Sequence, residues 1–230
     1  MAADRYDRAV GILISIEGVD GAGKHTLSRG LTQAWEDNGL DVLRMGFPRY
    51  GESVHADLAA EALHGEHGDL ATSVYAMAAM FALDRHDAAV DLRRLINRND
   101  IVLLDRYVAS NAAYSAARLG QGAGGPVVEW IRALEIDRFA VPLPHAQLLL
   151  RVPVDVAASR AIERERADSS RERDTYERDF ELQQRTATVY DELAAQSWVS
   201  GWRVVEGDVD ATQLAAELFN QLSDQQEVTR

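Results

Sequence analysis

Short apolar runs recur along the chain and alternate with longer stretches of mixed polarity. Each run is apolar at consecutive positions, which is typical of a strand buried on both faces of a parallel sheet. Sheets of this kind are covered by helices, and the stretches between the runs are long enough to form them. The predicted strands are Gly11–Ile16, Val42–Met45, Ile101–Leu104, Gln147–Val152 and Trp202–Val205.

The stretches between the strands carry apolar residues at helical spacing. In the first stretch Leu27, Leu31, Ala34 and Trp35 fall on one face, and Gly39 is a typical helix end. The predicted helices are Lys24–Asn38, Leu70–Ile96 (which an interruption near Arg85–Asp87 could divide), Val108–Leu119, Pro126–Ile136, Val154–Glu165, Tyr176–Gln196 and Ala211–Leu222. This alternation predicts an α/β fold with a doubly wound, parallel five-stranded sheet, helices on both faces, and ligands at the carboxyl ends of the strands.

The composition fits a single folded domain. The chain has 230 residues, of which 47% are hydrophobic, and no linker or internal repeat divides it. We therefore expect one domain over residues 1–230, with polar, loose ends at 1–8 and 223–230. Because cysteine is absent from the sequence, disulfides, thiolate metal sites and cysteine nucleophiles are excluded.

The net charge of −13 argues against general nucleic-acid binding, which requires a basic surface. A polyanionic ligand must therefore be held by a local cluster of arginine or lysine. The apolar run from Ala9 to Ile16 is too short for a signal peptide and leads into Glu17, so a buried strand is the better interpretation. Since the sequence has no transmembrane stretch or lipidation motif, we expect a cytoplasmic protein without a membrane partner.

The segment from Gly18 to Lys24 lies between the first strand and the first helix and has the spacing of a phosphate-binding loop. Its glycines let backbone N–H groups approach phosphate oxygens, while the helix amino terminus and Lys24 add positive charge. The alternative is a glycine-rich turn with a chance lysine, and the order of strand, glycines, lysine and helix argues against it. The predicted nucleotide-binding residues are Gly18, Val19, Asp20, Gly21, Ala22, Gly23, Lys24, His25 and Thr26.

The loop departs from the usual pattern at His25, which takes the position of the Ser or Thr that commonly binds Mg²⁺. Thr26, one place later, better fits a contact with the α-phosphate, and metal binding could pass to Asp20. Because Mg²⁺ prefers oxygen ligands, we expect His25 to be exposed and not to be a ligand.

A second acidic group, Asp105, ends the predicted strand that begins at Ile101. In phosphate-loop enzymes such a strand end faces the loop and helps to position Mg²⁺. By itself the pattern is weak, because many buried strands end in aspartate. Here Arg106 and Tyr107 follow it, and the three residues form a motif that can be compared with known families.

Several motifs in order resemble the thymidylate kinases, and especially the actinobacterial, mycobacterial-type members. The resemblance extends from about Ile12 to Val209. Its motifs are Glu17–Thr26, Phe47–Gly51, Phe81–Arg85, Asp105–Tyr107, Ser110–Tyr114, Tyr176–Asp179 and Glu181–Arg185. The resemblance implies a P-loop kinase that transfers the γ-phosphoryl group of ATP to dTMP, giving dTDP and ADP for dTTP synthesis. It also implies Mg²⁺ as a cofactor and a homodimer built by helix packing.

An acceptor phosphate is already ionised at neutral pH, so catalysis requires positioning and charge neutralisation and no general base. Arg106, next to the carboxylate of Asp105, can grip the acceptor phosphate with a bidentate fork. Arg49, in the turn after the second strand, is a second candidate for the same region. For both arginines the alternative is a surface salt bridge.

Base recognition is predicted for Phe81 and Arg85, which project from one helix face at a spacing of four. The resemblance implies that they stack on thymine and donate to its O4, and an arginine donor would oppose the amino group of cytosine. Asn111 can complement the N3 edge, and Tyr114 would lie beside the sugar and exclude a 2′-hydroxyl. Without the resemblance, Phe81 and Tyr114 would be interpreted as ordinary core aromatics. The predicted substrate-binding residues are Asp20, Phe47, Arg49, Tyr50, Phe81, Arg85, Arg106, Asn111, Tyr114 and Tyr176.

The segment Arg160–Arg178 is crowded with arginines and acids, and for most of them a solvated, ion-paired surface is the simplest interpretation. The resemblance implies a mobile lid at about 160–175 that excludes water. Because residue 21 is glycine, the loop offers no arginine to the transition state, and the lid is expected to supply it. The predicted catalytic residues are Lys24, Asp20, Arg106, Arg160, Arg164 and Arg171, and the predicted metal ligands are Asp20, Asp105 and Glu177.

Two other classes of protein remain to be distinguished. A related kinase could act on another monophosphate or on a nucleoside, although a nucleoside kinase needs a carboxylate base. A P-loop switch or regulatory subunit could bind a nucleotide without catalysis, but it would have no use for the base-reading residues.

Overall fold

A parallel sheet forms the centre of the molecule. The computed structural model describes residues 11–167 and 173–228. The strands are β1 (Ile12–Glu17), β2 (Val42–Gly46), β3 (Ile101–Asp105), β4 (Ala146–Arg151) and β5 (Gly201–Glu206). They lie in the order β2-β3-β1-β4-β5, and every neighbouring pair is parallel. The predicted fold class is confirmed, and each predicted strand end lies within one residue of the observed one.

The register of the strands brings three connecting loops together. Ile16 of β1 and Gly46 of β2 both pair with Asp105 of β3. The carboxyl ends of these strands therefore lie side by side, and the loops that follow them leave the sheet at one edge. Every residue of β1 is buried, as expected for a central strand covered on both faces, whereas β2 at the sheet edge is partly exposed.

Helices connect and cover the strands. They are α1 (Lys24–Asp37), α2 (Val54–Leu63), α3 (Val74–Ile96), α4 (Val108–Arg118), α5 (Pro126–Arg132), α6 (Val154–Ala167), α7 (Thr175–Arg178), α8 (Phe180–Ala195) and α9 (Ala211–Val228). A 3₁₀ turn (Leu70–Thr72) precedes α3, and a π-helical turn (Ala133–Arg138) continues α5. Within residues 11–167 and 173–228, no helix combines the length and the apolar content that crossing a membrane requires.

Two predicted helices are divided at side-chain caps. The suggested interruption at Arg85–Asp87 is wrong, because α3 runs through it without a break. The division falls instead at Ser73, whose Oγ accepts a hydrogen bond from the backbone N–H of Ala76 at 3.2 Å. In the same way Asp179 separates α7 from α8, because its carboxylate accepts from the N–H of Leu182 at 2.9 Å.

The remaining differences concern α2 and the chain ends. Helix α2 was not predicted, because its buried face consists mainly of alanines (Ala56, Ala59 and Ala62) and carries a weak hydrophobic pattern. Helix α9 continues to Val228, so residues 223–228, which were expected to be loose, are helical. The expected loose end at 1–8 lies outside the described residues.

Candidate active site

The carboxyl ends of β1, β2 and β3 open into one cavity of about 1260 Å³. Residues from the phosphate-binding loop, α3, α4, α6 and α7 complete its walls. The predicted side chains that line it are Asp20, Lys24, Phe47, Arg49, Tyr50, Phe81, Arg85, Asp105, Arg106, Asn111, Tyr114, Arg160, Arg164, Tyr176 and Glu177. The loop residues Gly21, Gly23, His25 and Thr26 also line the cavity, whereas Gly18, Val19 and Ala22 do not. Arg171 lies in segment 168–172, outside the described residues.

The loop between β1 and α1 depends on glycine where it approaches α6. Gly21 has a φ of 79°, and a Cβ built on it would lie 2.0 Å from the carbonyl oxygen of Ala157. No side chain can therefore be accommodated at position 21 without moving the backbone of α6. Gly23, with a φ of 102°, precedes the first residue of α1. His25 is exposed, as predicted.

Lys24 is the first residue of α1, and its side chain folds back over the loop. Its Nζ donates to the carbonyl oxygens of Gly18 at 3.1 Å and Val19 at 2.9 Å, and only 7% of the residue is exposed. Burial, together with the nearby charge of Arg106, lowers the pKa of Lys24 to about 8. The cation is thus held by backbone dipoles at the wall of the cavity.

Arg106 follows β3 with a φ of 67°, an unusual backbone conformation for a residue with a side chain. Its Nη2 contacts Asp20, and its Nη1 donates to Ser110 Oγ and the carbonyl oxygen of Gly18, both at 3.2 Å. Burial opposes the ionisation of Asp20, but Arg106 and Lys24 outweigh it and lower the pKa of this carboxyl to about 2. Asp20 is therefore ionised across the physiological pH range.

Arg49 lines the cavity but is held by a carboxylate that the sequence analysis did not single out. Its Nε donates to Asp84 Oδ1 and its Nη2 to the Asp84 carbonyl oxygen, both at 2.8 Å. The backbone N–H of Arg49 also donates to Asp84 Oδ2, at 2.9 Å. Because Asp84 is fully buried, this is an internal anchor and not the surface salt bridge considered as the alternative. The guanidinium can offer the cavity mainly its remaining nitrogen, Nη1.

The predicted base-reading residues meet around another carboxylate that the sequence analysis missed. Glu135, which has no exposed surface, accepts from Arg85 Nε and from Arg85 Nη2, the latter at 2.8 Å. It also accepts from Asn111 Nδ2 at 2.8 Å. A signal was present in the sequence, because Glu135 lies four residues after the apolar Ile131 on the face that α5 buries. Phe81 lies one helical turn before Arg85 on α3.

Two tyrosines and a glutamine connect the loop with the segment after α6. The Tyr114 hydroxyl donates to Asp20 Oδ2 at 2.6 Å, and its ring is stacked on Tyr176 with centroids 6.2 Å apart. Gln183 donates from Nε2 to the carbonyl oxygen of Tyr176 at 2.9 Å and accepts from the N–H of Asp20 at 3.3 Å. Arg118, which was not predicted, donates to the Tyr176 hydroxyl.

The arginines of α6 face the phosphate-binding loop and the segment after α6. Arg160 Nη1 donates to the carbonyl oxygen of Ala22 at 3.3 Å. Arg164 Nη2 donates to Glu177 Oε1 at 2.6 Å, while its buried Nε has no hydrogen-bond partner among the described residues. Asp174, at the start of α7, also lines the cavity, and burial raises the pKa of its carboxyl to about 6.

The predicted metal ligands share the cavity without forming a closed cluster. Asp20, Asp105 and Glu177 all line it. Among the described residues, the group of three possible ligands that lie within 4.8 Å of one another is elsewhere, at the exposed Glu61, Glu66 and His67. This donor set fits Mg²⁺, which commonly takes one or two carboxylates and completes its shell with water and phosphate oxygens.

Comparisons with known proteins agree with this geometry. Residues 16–202 match the family model described as thymidylate kinase. A thymidylate kinase of Mycobacterium tuberculosis is 56% identical over 207 residues, which cover 90% of this chain and 97% of that protein. A thymidylate kinase of Xanthomonas oryzae pv. oryzae is 36% identical over 154 residues, or 65% of this chain and 60% of that protein. A probable thymidylate kinase of Thermococcus kodakarensis is 29% identical over 187 residues, or 80% of this chain and 84% of that protein.

Proposed function

Because the chain belongs to the thymidylate kinase family, we propose that this cavity binds ATP at the phosphate-binding loop and dTMP beside Phe81 and Arg85. The enzyme transfers the γ-phosphoryl group of ATP to dTMP, and the products are dTDP and ADP for dTTP synthesis. The observation that carries the assignment of the two sites is that Lys24, Arg106 and Arg85 line one continuous cavity. Donor and acceptor can therefore meet without an intermediate carrier.

The ATP phosphates fit the loop 18–24 and the amino terminus of α1. Lys24 exchanges its two carbonyl contacts for phosphate oxygens and brings a full positive charge to the β- and γ-phosphates. The transition-state arginine comes from α6, because the backbone of Ala157 leaves no room for a side chain at position 21. Arg160, which already contacts the loop, and Arg164, whose Nε has no partner in the part of the chain that the structure describes, are the described candidates.

The acceptor phosphate of dTMP fits between Arg106 and the loop. An ionised phosphate oxygen of dTMP attacks the γ-phosphorus, and the bond to the bridging oxygen breaks, so that this oxygen leaves with ADP. No proton has to be removed, and Asp20, with its low pKa, would be a poor base in any case. Arg106 supplies positive charge to the acceptor, and Arg49, anchored by Asp84, contributes a second positive charge.

The thymidine moiety fits the opposite part of the cavity. Phe81 provides an apolar face for the base, and Arg85 and Asn111 provide polar groups at its edge. Tyr114 and Tyr176 form a stacked wall beside the sugar, and the Tyr114 hydroxyl is fixed by Asp20. Phe47 and Tyr50 complete the acceptor side of the cavity.

Mg²⁺ fits the acidic residues of the cavity once phosphates are present. Asp20, Asp105 and Glu177 would hold it together with water and nucleotide oxygens. When bound, the ion neutralises charge on the β- and γ-phosphates. The exposed His25 is not part of this donor set.

We place the enzyme in the cytoplasm, as a homodimer that acts on small nucleotides and not on nucleic acid. A lid at about 160–175 closes over the bound nucleotides and excludes water. Part of this lid, 168–172, lies outside the described residues. Hydrogen exchange across residues 167–174 should slow when ATP and dTMP analogues are both bound, and unchanged exchange would contradict lid closure.

A coupled ADP-release assay with ATP, Mg²⁺ and a panel of acceptors tests the proposed function. We expect dTMP to be the best acceptor, dUMP to be weaker because it lacks the methyl group, and dCMP to react hardly at all. A preference for dCMP, or for an unphosphorylated nucleoside, would assign the chain to a related kinase. Nucleotide binding without turnover of any acceptor would indicate a regulatory P-loop protein.

A further inference from the structure

A buried carboxylate connects the two residues that are proposed to read the base. Glu135 lies in the π-helical turn after α5, a kind of irregularity that often occurs at functional sites. It bridges Arg85 on α3 and Asn111 on α4, which are 50 and 24 residues away in the chain. None of the three side chains is appreciably exposed. Glu135 itself is not among the residues that line the cavity, so any effect on a ligand must pass through its partners.

Glu135, together with the carbonyl oxygen of Ala78, determines which way the Asn111 amide faces. Asn111 Nδ2 donates one hydrogen to Glu135 Oε1 at 2.8 Å and the other to the carbonyl oxygen of Ala78 at 3.0 Å. Both partners are acceptors, so the amide cannot turn round without losing both bonds. Asn111 Oδ1 then has only a long contact of 3.5 Å from Ser115 Oγ among the described residues. The group that Asn111 can still offer to a ligand is therefore an acceptor.

Glu135 also determines what Arg85 can offer. The carboxylate binds Arg85 in bidentate fashion through Nε and Nη2, which fixes the plane of the guanidinium. Among the described residues, Arg85 Nη1 has no hydrogen-bond acceptor, because Nε and Nη2 are the nitrogens that bind Glu135. Arg85 has no lone pair to accept with, so it can present only a donor.

We propose that Glu135 is a positioning residue for base specificity, which holds Asn111 as an acceptor and Arg85 as a donor toward the pyrimidine edge. The proposal rests on the proposed function and on the placement of the base beside these residues. Thymine presents O4 as an acceptor and N3–H as a donor, which complements this pair. Cytosine presents an amino group and an unprotonated N3, so both of its contacts would be opposed. An asparagine without this anchor could turn its amide and accommodate either base.

Glu135→Gln tests the proposal, because glutamine keeps the shape but replaces one acceptor oxygen with a donor. Because Oε1 accepts from both Arg85 Nη2 and Asn111 Nδ2 and Oε2 accepts from Arg85 Nε, either orientation of the new amide opposes at least one of these donors. The arginine and asparagine pair is then no longer held in one arrangement. We expect the ratio of kcat/KM for dTMP to that for dCMP to fall by at least about tenfold. The ratio of kcat/KM for dTMP to that for dUMP should not change, because uracil has the same O4 and N3–H edge as thymine. General damage to the site would not separate these two ratios.

Glu192→Gln is the matched control, since Glu192 accepts a hydrogen bond from the backbone N–H of Ala123 at 2.7 Å, at a site that does not line the cavity. For this control variant, the ratio of kcat/KM for dTMP to that for dCMP should equal the wild-type ratio. If the wild type uses dTMP and a folded Glu135→Gln enzyme keeps the wild-type ratio, the role of Glu135 is refuted while the proposed function stands. If the wild type does not phosphorylate dTMP, the proposed function itself fails.

A measurement on the wild-type enzyme is available if Glu135→Gln does not fold. The side-chain amide protons of Asn111, followed by ¹⁵N NMR, should both be protected from exchange before dTMP binds and should remain so afterwards. Rapid exchange of these protons in the free enzyme, or loss of protection on binding, would overturn the proposal, because it would mean that the amide is not held by Glu135.

Discussion

The two ends of the cavity hold their cations in different ways. At the end that is proposed to bind the base, Arg85 is paired with the fully buried Glu135. At the phosphate end, Lys24 donates to backbone carbonyl oxygens, and Arg160 contacts the carbonyl oxygen of Ala22.

This difference corresponds to what each end is proposed to bind. A neutral base is recognised by the direction of hydrogen bonds, and a buried carboxylate fixes that direction while it cancels the arginine charge. Phosphates require net positive charge, which a cation keeps when only carbonyl dipoles hold it. Such contacts can also be exchanged for phosphate oxygens without leaving a buried carboxylate unpaired. Arg106, Arg49 and Arg164 lie between the two cases, because they are proposed to act on phosphates and each is paired with a carboxylate.

The largest effect is expected from removing the charge at the phosphate end. Lys24→Ala should lower kcat by at least about ten-thousandfold, because the charge on the β- and γ-phosphates is then not neutralised at the loop. The midpoint of thermal unfolding should not fall, since the variant also removes the unfavourable burial of a cation. Steady-state kinetics and a melting curve check both statements, and substantial turnover in a folded variant would contradict the role of the loop.

At the base end, the corresponding change should reduce stability. Glu135→Leu leaves Arg85 as an uncompensated buried charge, and we expect the free energy of unfolding to fall by about 3–5 kcal/mol. Asp91→Leu is the control, because the Asp91–Arg94 pair is exposed, with 74% and 66% of the side chains accessible. That change should cost no more than about 1 kcal/mol. Denaturant titrations of both variants measure these free energies of unfolding. Equal decreases in the two variants would mean that burial does not make the Arg85–Glu135 pair more important for stability than the exposed pair.

Removing the arginine that contacts the loop should slow the chemical step. We expect Arg160→Ala to lower kcat by about a hundred- to a thousandfold, because its charge is needed as the γ-phosphoryl group moves. Arg173→Ala is the matched control, since Arg173 pairs with Glu165 at 3.0 Å and does not line the cavity. Its kcat should stay close to that of the wild type. An Arg160→Ala variant with a kcat close to that of the wild type would show that the arginine of the transition state is not Arg160.

The sequence predicted those parts of the molecule that depend on local patterns. The five strands are continuous apolar runs, and the loop 18–24 has a fixed spacing, so both can be recognised within a few residues. The cavity also contains every predicted cation of the described residues. Lys24, Arg49 and Arg106 follow strands whose carboxyl ends meet at one sheet edge, whereas the other predicted arginines reach the cavity from α3 and α6. The roles assigned to these side chains stay predictions until they are tested.

The partners of those cations could not be predicted in the same way. Asp84 meets Arg49 from 35 residues away, and Glu135 meets Arg85 from 50 residues away, through the packing of separate helices. A single sequence gives no direct signal for such contacts. The clue for Glu135 was a charge in the turn that continues the buried face of α5, and Asp84 lies inside the motif that contains Phe81 and Arg85. Long-range ion pairs were therefore the main part of the site that required the structure.

The smallest of the expected effects is a pH dependence that separates the two ends. Burial and Arg106 lower the pKa of Lys24 to about 8, while Asp20, Asp105 and Glu17 act in the opposite direction. Because Lys24 is charged below this pKa and neutral above it, kcat/KM for ATP should fall by about tenfold per pH unit above pH 8. At saturating ATP the bound phosphates stabilise the ammonium form of Lys24, so kcat should stay level to a higher pH.

The kcat/KM for dTMP at saturating ATP should also stay level, because the arginines remain charged throughout this pH range. Initial rates between pH 7 and 9.5 test this separation, and a kcat/KM for ATP that does not change up to pH 9.5 would show that Lys24 keeps an ordinary pKa in the free enzyme.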